Sequence, residues 1–296
     1  MGTHPIGTAR VVDGELHCAV QIYRHPGGKT ITAMSTVHLA EPAYFETLVK
    51  LALREEEAGA EVFLEMLGAG GSPTDEEQEA IDLQTRALDT QQMLGAELFN
   101  LPWVDESNSA LAPFLRKWSN ADVDGVDLIR LLGPSQVKQL YADIFANHEK
   151  MKALKEKYGE DSAQFRRLRW LFAGSYIHQY VHGRPTRAYA AAIRGIVKAV
   201  RFLLRRKPVR GIPDWVKPYV NSFRECVAAM DVVACPKNVV VMWHPNHLKH
   251  MGEIWIRNGF VTDEAQWLMA CHHIPLTEKK AAVDTPEASE ASVGAR

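Results

Sequence analysis

The sequence contains few of the features that mark secreted, membrane-spanning or disulfide-bonded proteins. Its four cysteines (Cys18, Cys226, Cys235 and Cys271) are scattered and form no C-x-x-C pair, so neither a disulfide framework nor a zinc knuckle is indicated. No run of about 18 uncharged apolar residues occurs, so we expect no transmembrane segment. Residues 1–20 lack the basic start and apolar core of a secretory signal. These absences predict a cytoplasmic protein with reduced thiols.

The charge balance and the missing loop motifs exclude further functional classes. The net charge is −2 over 296 residues, and a balance so close to neutral gives no support for nucleic-acid binding. The chain has no P-loop, no G-x-G-x-x-G and no G-x-S-x-G motif. This removes the nucleotide-binding and serine-hydrolase functions that depend on those motifs.

What the chain does have is three apolar runs that each stop at a side chain able to bind a metal or transfer a proton. Runs of this length and composition are typical of buried strands. In open α/β sheets, ligands and chemistry collect at the carboxyl ends of the strands. The runs and the side chains that follow them are residues 29–38 with His38, residues 60–64 with Glu65, and residues 238–243 with His244 and His247.

The spacing of apolar residues predicts an α/β fold. Residues 16–23 and 29–38 flank a His-Pro-Gly-Gly turn and predict a hairpin. A helix over residues 42–59 and a strand after it complete a β-α-β unit, which should be right-handed and parallel. Further helices are expected at residues 75–99, 107–118, 125–131, 134–157, 161–182, 186–206, 213–230 and 251–258, with one or two last strands near 260–261 and 266–271.

These elements predict one domain over residues 16–276. Its mixed central sheet is built from the N- and C-terminal segments, and a large helical insertion over about 74–211 covers it. We expect residues 1–15 to form a flexible N-terminus. Residues 277–296 have almost no apolar bulk and should be a disordered tail.

The three strand ends, in this order, resemble the TraB/GumN family and its Tiki relatives. The family pattern is G-T-x-H after a strand, a glutamate ending the next strand, and a C-terminal G-x-x-H followed by an amphipathic helix and a G-[YF] turn. The similarity spans about residues 16–271, and Ser35 and His244 stand where the family has its two glycines. The matching segments are Ser35-Thr36-Val37-His38, Phe63-Leu64-Glu65, His244-Pro245-Asn246-His247 and Gly259-Phe260, with Asn120-Ala121-Asp122-Val123 and Arg224 as further matches.

The resemblance implies a metal-dependent hydrolase. The Tiki branch is known for peptidase activity with manganese or cobalt, and related branches include erythromycin esterases and haem-uptake lipoproteins. A metal-bound water acting as the nucleophile on an amide or ester bond is therefore the expected chemistry, with a peptide or small natural product as substrate.

The residues allow that chemistry on their own terms. His38 and His247 with Glu65 would make a three-ligand site for zinc, manganese or cobalt with a position left for water. Glu65 could be a ligand or the general base. His244 could be a fourth ligand or supply a hydrogen bond behind the ligands. Arg224 would suit an oxyanion or a substrate carboxylate.

Two other groups have metal-binding composition. His178 and His182 lie four positions apart on one predicted helical face, but no glutamate of an H-E-x-x-H motif lies between them. A helix end near the C-terminal dipole also explains His182. Cys271, His272 and His273 are adjacent in sequence, and adjacent residues rarely converge on one ion, so a surface turn is the alternative.

A basic amphipathic segment at residues 186–210 leaves two interpretations open. Cations interleaved with apolar residues suit an anionic membrane surface or a partner. The same pattern is typical of a solvated helix whose positive charges gather toward its C-terminal end.

Three functional hypotheses follow. The first is the metal-dependent hydrolase. The second is a non-catalytic member of the same superfamily that holds haem or a peptide signal. The third is a protein that forms a homo-oligomer, or binds a membrane surface, through residues 186–210.

Overall fold

The computed structural model describes most of the chain outside one long central stretch. The described residues are 7–13, 15–38, 40–65, 71–99, 109–115, 117–159, 162–163, 222–263 and 265–272.

The described strands form one mixed sheet of eight strands in the order β1-β2-β3-β6-β4-β5, with β7 and β8 also paired to β2. Three pairs of neighbours are parallel: β3 with β6, β6 with β4, and β4 with β5. All the strands that pair with β2 are antiparallel to it, namely β1, β3, β7 and β8. The strands are β1 (Ala9–Val12), β2 (Glu15–Arg24), β3 (Thr30–Ser35), β4 (Glu61–Leu64), β5 (Ser119–Asn120), β6 (Val239–Trp243), β7 (Val261–Thr262) and β8 (Gln266–Cys271).

Strand β6 is the centre of the parallel part because it lies between β3 and β4. All five of its residues, Val-Val-Val-Met-Trp, are buried, as expected for a parallel strand covered on both faces. The sheet therefore joins segments from the two ends of the sequence, and the predicted α/β fold with a mixed central sheet is confirmed.

Helices cover both faces of the sheet next to β6. Alternate β6 residues point to opposite faces. Val240 and Met242 join a core with Phe45 and Leu48 of the first helix, and Val241 and Trp243 join a second core with Trp255. The helices are α1 (Pro42–Glu57), α2 (Asp75–Phe99), α3 (Gly125–Leu132), α4 (Pro134–Tyr158), α5 (Arg224–Ala234) and α6 (Pro245–Arg257).

The described part of the predicted helical insertion contains α2, α3 and α4, which pack through Ala80, Ile129 and Val137. The helix predicted over residues 107–118 is wrong where the structure describes it, because residues 112–114 form only a single 3-10 turn there. Pro113 removes a backbone donor at that turn. Apart from residues 162–163, the helices predicted at 161–182 and 186–206 lie outside the described residues, as does the tail at 277–296.

The N-terminal segment differs from its sequence pattern. Residues 9–12 form strand β1 along β2 within the stretch predicted to be flexible. Four residues with one buried side chain carry too weak an alternation to be recognised. Across the described ranges, no helix is both long enough and apolar enough to cross a bilayer.

Candidate active site

The site lies where three neighbouring parallel strands end. His38 follows β3 by three residues, Glu65 directly follows β4, and His244 directly follows β6. Because β3, β6 and β4 are adjacent and parallel, these side chains reach one edge of the sheet. The backbone N–H of Glu65 donates to the carbonyl of Met242 at 3.0 Å, so β4 remains paired with β6 up to the glutamate.

Three imidazoles gather at this edge. The rings of His38 and His244 are stacked, with centroids 4.9 Å apart and planes 26° apart. The ring of His247, in the first turn of α6, lies 5.8 Å from that of His244. The buried Trp243 ring lies nearly perpendicular to that of His247, with the ring centroids 5.7 Å apart. The sequence prediction that His38 and His247 meet in one cluster with Glu65 is therefore matched by the geometry.

Glu65 is held from three directions. Its Oε2 accepts the backbone N–H of His244 at 2.7 Å, and its Oε1 lies 3.2 Å from Nη2 of Arg224 and 3.5 Å from Nε2 of His247. Burial alone would raise the pKa of the Glu65 carboxyl, but the charges of His247 and Arg224 outweigh it and hold the pKa below the ordinary value. Glu65 is therefore a carboxylate at neutral pH.

A second glutamate lies behind His247. Oε1 of Glu225, in the first turn of α5, is 2.6 Å from Nδ1 of His247, and its Oε2 is 2.5 Å from Nδ1 of His250. Burial would lower the pKa of His247, but Glu65 and Glu225 outweigh it and raise the pKa above the ordinary value. Both carboxylates thus favour the protonated form of His247.

Arg224 is fixed by a buried aspartate. Its Nε donates to Oδ1 of Asp122 at 2.8 Å and its Nη2 donates to Oδ2, and the Asp122 side chain has no exposed surface. The guanidinium also lies 5.6 Å above the Trp243 ring. Arg224 was predicted to face an oxyanion or a substrate carboxylate, and the structure places it between Asp122 and Glu65.

His244 contributes mainly through its backbone and its position as a helix cap. Its Nδ1 accepts the backbone N–H of Asn246 at 3.4 Å, which caps α6. Burial, with the nearby His38 and His247, lowers the pKa of His244 well below its ordinary value. His244 is therefore neutral at neutral pH.

Neither Ser35 nor His244, where the TraB/GumN pattern would have a glycine, is strained. His244 has φ −57° and ψ 139°, the extended conformation expected before a proline. Ser35 also has a negative φ, because Asp13 is the one non-glycine residue with a positive φ in the described part of the chain. The Ser35 hydroxyl donates to the carbonyl of Thr8 at 3.0 Å. Side chains are therefore accommodated at both positions.

The donor set fits a metal ion in part. His247 has the arrangement of a metal-binding histidine, with Nδ1 on a carboxylate and Nε2 directed at the cluster. Within the described ranges, however, no three His, Cys, Asp or Glu side chains are grouped as a metal requires. The ring planes of His38 and His244 are nearly parallel, and in-plane nitrogen lone pairs on stacked rings do not converge on one ion.

The other candidate groups fall elsewhere. Cys271 ends β8 and is buried, whereas His272 is half exposed and bonds through Nδ1 to Glu41 at 2.7 Å. The turn interpretation is therefore wrong for Cys271, which packs in the sheet core. His178, His182, His273 and residues 186–210 lie outside the described residues. A depression of about 290 Å³ lies at the opposite edge of the sheet, beside Glu61 and Lys117.

Three members of the cluster were not predicted from the sequence as site residues: Asp122, Glu225 and His250. Asp122 was included only in a segment that resembles the TraB/GumN pattern, and no role was predicted for it. Glu225 follows Arg224 directly, and His250 lies one helical turn after His247. A histidine one turn after a candidate histidine is the signal that could have identified His250, whereas Glu225, next to Arg224 in sequence, has no such spacing.

Comparisons with protein-family models, with curated proteins and with solved structures find no match to this chain.

Proposed function

We propose that this cluster is the active site of a metal-dependent hydrolase that cleaves an amide or ester bond in a peptide or small natural product. The observation that supports it most is the arrangement of His247, whose Nδ1 is 2.6 Å from the Glu225 carboxylate while Nε2 faces Glu65. His247 and Glu65 would hold the cation, and His38 or His244 would supply a third ligand by turning out of their stack.

The charge of the cluster also favours a cation. The side chains described at this edge include three carboxylates, those of Glu65, Asp122 and Glu225, and one guanidinium, that of Arg224, which pairs with the first two. A protonated His247 leaves one uncompensated negative charge at this edge. With neutral imidazoles, the state in which histidine binds a metal, two remain in a largely buried place, which is costly. A divalent manganese, cobalt or zinc ion would neutralise them.

The residues of the cluster would have different roles in the proposed hydrolysis. A bound divalent ion would polarise the substrate carbonyl and acidify a water molecule. The lowered pKa of Glu65 makes it a weak base and a good ligand, so holding the cation suits it better than accepting a proton at neutral pH. Arg224, with Asp122 behind it, would fix the orientation of Glu65. The Glu65 and His247 side chains keep 15% and 13% of their surface exposed, which gives solvent access.

A second candidate function is binding without turnover, as a protein that holds haem or a peptide signal. The observation that favours it is that both oxygens of Glu65 already have hydrogen-bonding partners. Together with the stacked His38 and His244 rings, this describes a cluster that is satisfied without an ion.

Metal analysis of protein purified without a histidine tag tests the proposal. After incubation with manganese, cobalt or zinc and removal of excess ion, we expect about one ion per chain in the wild type. The double variant His38→Ala/His247→Ala should lose it, while the control His17→Ala/His272→Ala, which changes two histidines outside the cluster, should retain it. Glu65→Gln should lose both the ion and hydrolysis of ester and amide substrates.

Two results would decide against the hydrolase. One is a wild type that retains no ion and hydrolyses no substrate of either class. The other is equal ion content in the wild type and the His38/His247 double variant. A Soret band on haem titration of ion-free protein, lost in that double variant, would support the binding function instead.

A further inference from the structure

Glu225 is a buried carboxylate that lies between His247 of the cluster and the partly exposed His250. Its residue is 6% exposed, and its two oxygens bind two different imidazoles, Nδ1 of His247 at 2.6 Å and Nδ1 of His250 at 2.5 Å. His250 is the outer partner, with 33% of its side chain exposed. The three side chains span α5 and α6, which are also joined by the Trp255 indole N–H donating to the carbonyl of Ala229.

An ionised carboxylate can only accept hydrogen bonds. Each imidazole facing Glu225 must therefore carry its proton on Nδ1, and a neutral His247 must then have a bare lone pair on Nε2. That Nε2 is the atom 3.5 Å from Oε1 of Glu65. The identity of residue 225 thus decides which nitrogen of His247 is available at the cluster.

We infer that Glu225 is a positioning residue, which fixes His247 as the Nδ1–H tautomer and turns its Nε2 toward Glu65, while His250 occupies the second oxygen and holds the carboxylate plane. This inference rests on the proposed function only for what the bare Nε2 of His247 does, which is to bind the metal ion. The tautomer itself does not require the cluster to bind a metal.

A purely structural role is the competing explanation, since a buried carboxylate between two histidines also fastens α5 to α6. Such a role would be lost with Glu225 but would set no particular tautomer on His247. The two explanations therefore differ in the protonation of each ring nitrogen.

Nitrogen-15 NMR of the full chain labelled at histidine distinguishes them, because long-range proton–nitrogen spectra separate protonated from bare ring nitrogens. Spectra are recorded with EDTA at a pH where His247 is neutral, and its signals are assigned by their loss in His247→Asn. We expect bare Nε2 and protonated Nδ1 in the wild type. Glu225→Ala should move proton occupancy to Nε2 of His247.

Glu41→Ala is the matched control, because Glu41 holds Nδ1 of His272 at 2.7 Å in the same way. It should change the His272 signals and leave those of His247 unchanged. If Glu225→Ala does not fold, Glu225→Met serves, because it keeps the length of the side chain and has no oxygen to accept from either imidazole. A wild-type His247 protonated at Nε2, or His247 signals identical in the wild type and the folded Glu225 variant, would overturn the inference.

A second measurement separates this inference from the proposed function. If the wild type binds a divalent ion, Glu225→Ala should weaken that binding by about 10- to 100-fold, as loss of a carboxylate behind a metal-binding histidine does. A wild type without ion affinity would count against the hydrolase, whereas the tautomer result would still decide the role of Glu225.

Discussion

At the scale of residues, the cluster depends on carboxylates and cations that satisfy one another away from water. Arg224 is 7% exposed and bridges two carboxylates that come from different elements. Removing one partner of a buried ion pair leaves the other charge uncompensated, which costs far more than losing a surface pair. The contribution of Arg224 to stability should therefore be large even if the protein has no catalytic role for it.

Replacing Arg224 by glutamine should test this directly. We expect Arg224→Gln to lower the free energy of unfolding by about 3–5 kcal/mol, because Asp122 and Glu65 lose their cation. Urea denaturation followed by circular dichroism measures it. The control is Arg24→Gln, which breaks a surface pair with Asp263 where the arginine side chain is 50% exposed and should cost at most about 1 kcal/mol. Equal losses in the two variants would contradict the prediction.

At the scale of elements, α5 is fastened at both ends. Its first turn carries Arg224 and Glu225, and its last turn meets Lys29, at the start of the hairpin's second strand. The Lys29 ammonium donates to the carbonyls of Val232 at 2.6 Å and Val233 at 2.9 Å, and also to that of Cys235. These are the carbonyls that a helix leaves without partners at its C-terminus, so Lys29 caps the C-terminal end of α5.

Removing this cap should therefore loosen the C-terminal end of α5. Lys29→Met keeps the apolar stem and should lower the free energy of unfolding by about 1–2 kcal/mol, since the helix dipole and its carbonyls lose a cation. Hydrogen exchange should rise in the last turn of α5. Lys237→Met is the control, because that ammonium pairs with Glu61 at the surface with 60% of its side chain exposed, and its effect should stay within about 0.5 kcal/mol. A smaller loss for Lys29→Met than for Lys237→Met would count against the capping role.

At the scale of the whole molecule, stability should fall away from neutral pH in both directions. The lowered pKa of His244 means that the unfolded chain takes up a proton below about pH 6.5 that the folded chain resists, so stability falls as the pH drops. Glu65, whose pKa is also lowered, adds to this loss below its ordinary value of 4.5. The raised pKa of His247 acts oppositely, because its contribution is complete below 6.5 and is lost as the pH rises through the folded value.

The acid side of this profile can be assigned to His244 with two variants. His244→Asn removes the titrating group but keeps a good helix-capping acceptor for α6, so with EDTA present the decline between pH 6.5 and 4.5 should become shallower. His244→Ala should flatten the same range while losing about 1 kcal/mol at pH 8, because the cap is gone as well. Unfolding free energies measured at each pH check this, and an unchanged slope in both variants would assign the decline to other groups.

How much of this could be read from the sequence depends on which interaction decides each feature. The strands that precede His38, Glu65 and His244 are predictable because an unbroken apolar run indicates a buried strand, although β3 ends three residues before His38. The order β3-β6-β4 is not, since strand neighbours in a parallel sheet are set by tertiary packing. Glu225 and His250 look like ordinary helix-surface residues, and only the contact between α5 and α6 turns them inward.

The pairing of β3 with β6 has a consequence for how the protein is made. His38 and His247 are separated by 209 positions, and β6, which lies between β3 and β4 in the sheet, emerges from the ribosome long after both of them. At roughly 5–20 residues per second, the early strands wait about 10–40 seconds with a gap between them. The nascent chain therefore holds an incomplete sheet until β6 has been synthesised, and the cluster cannot form before then.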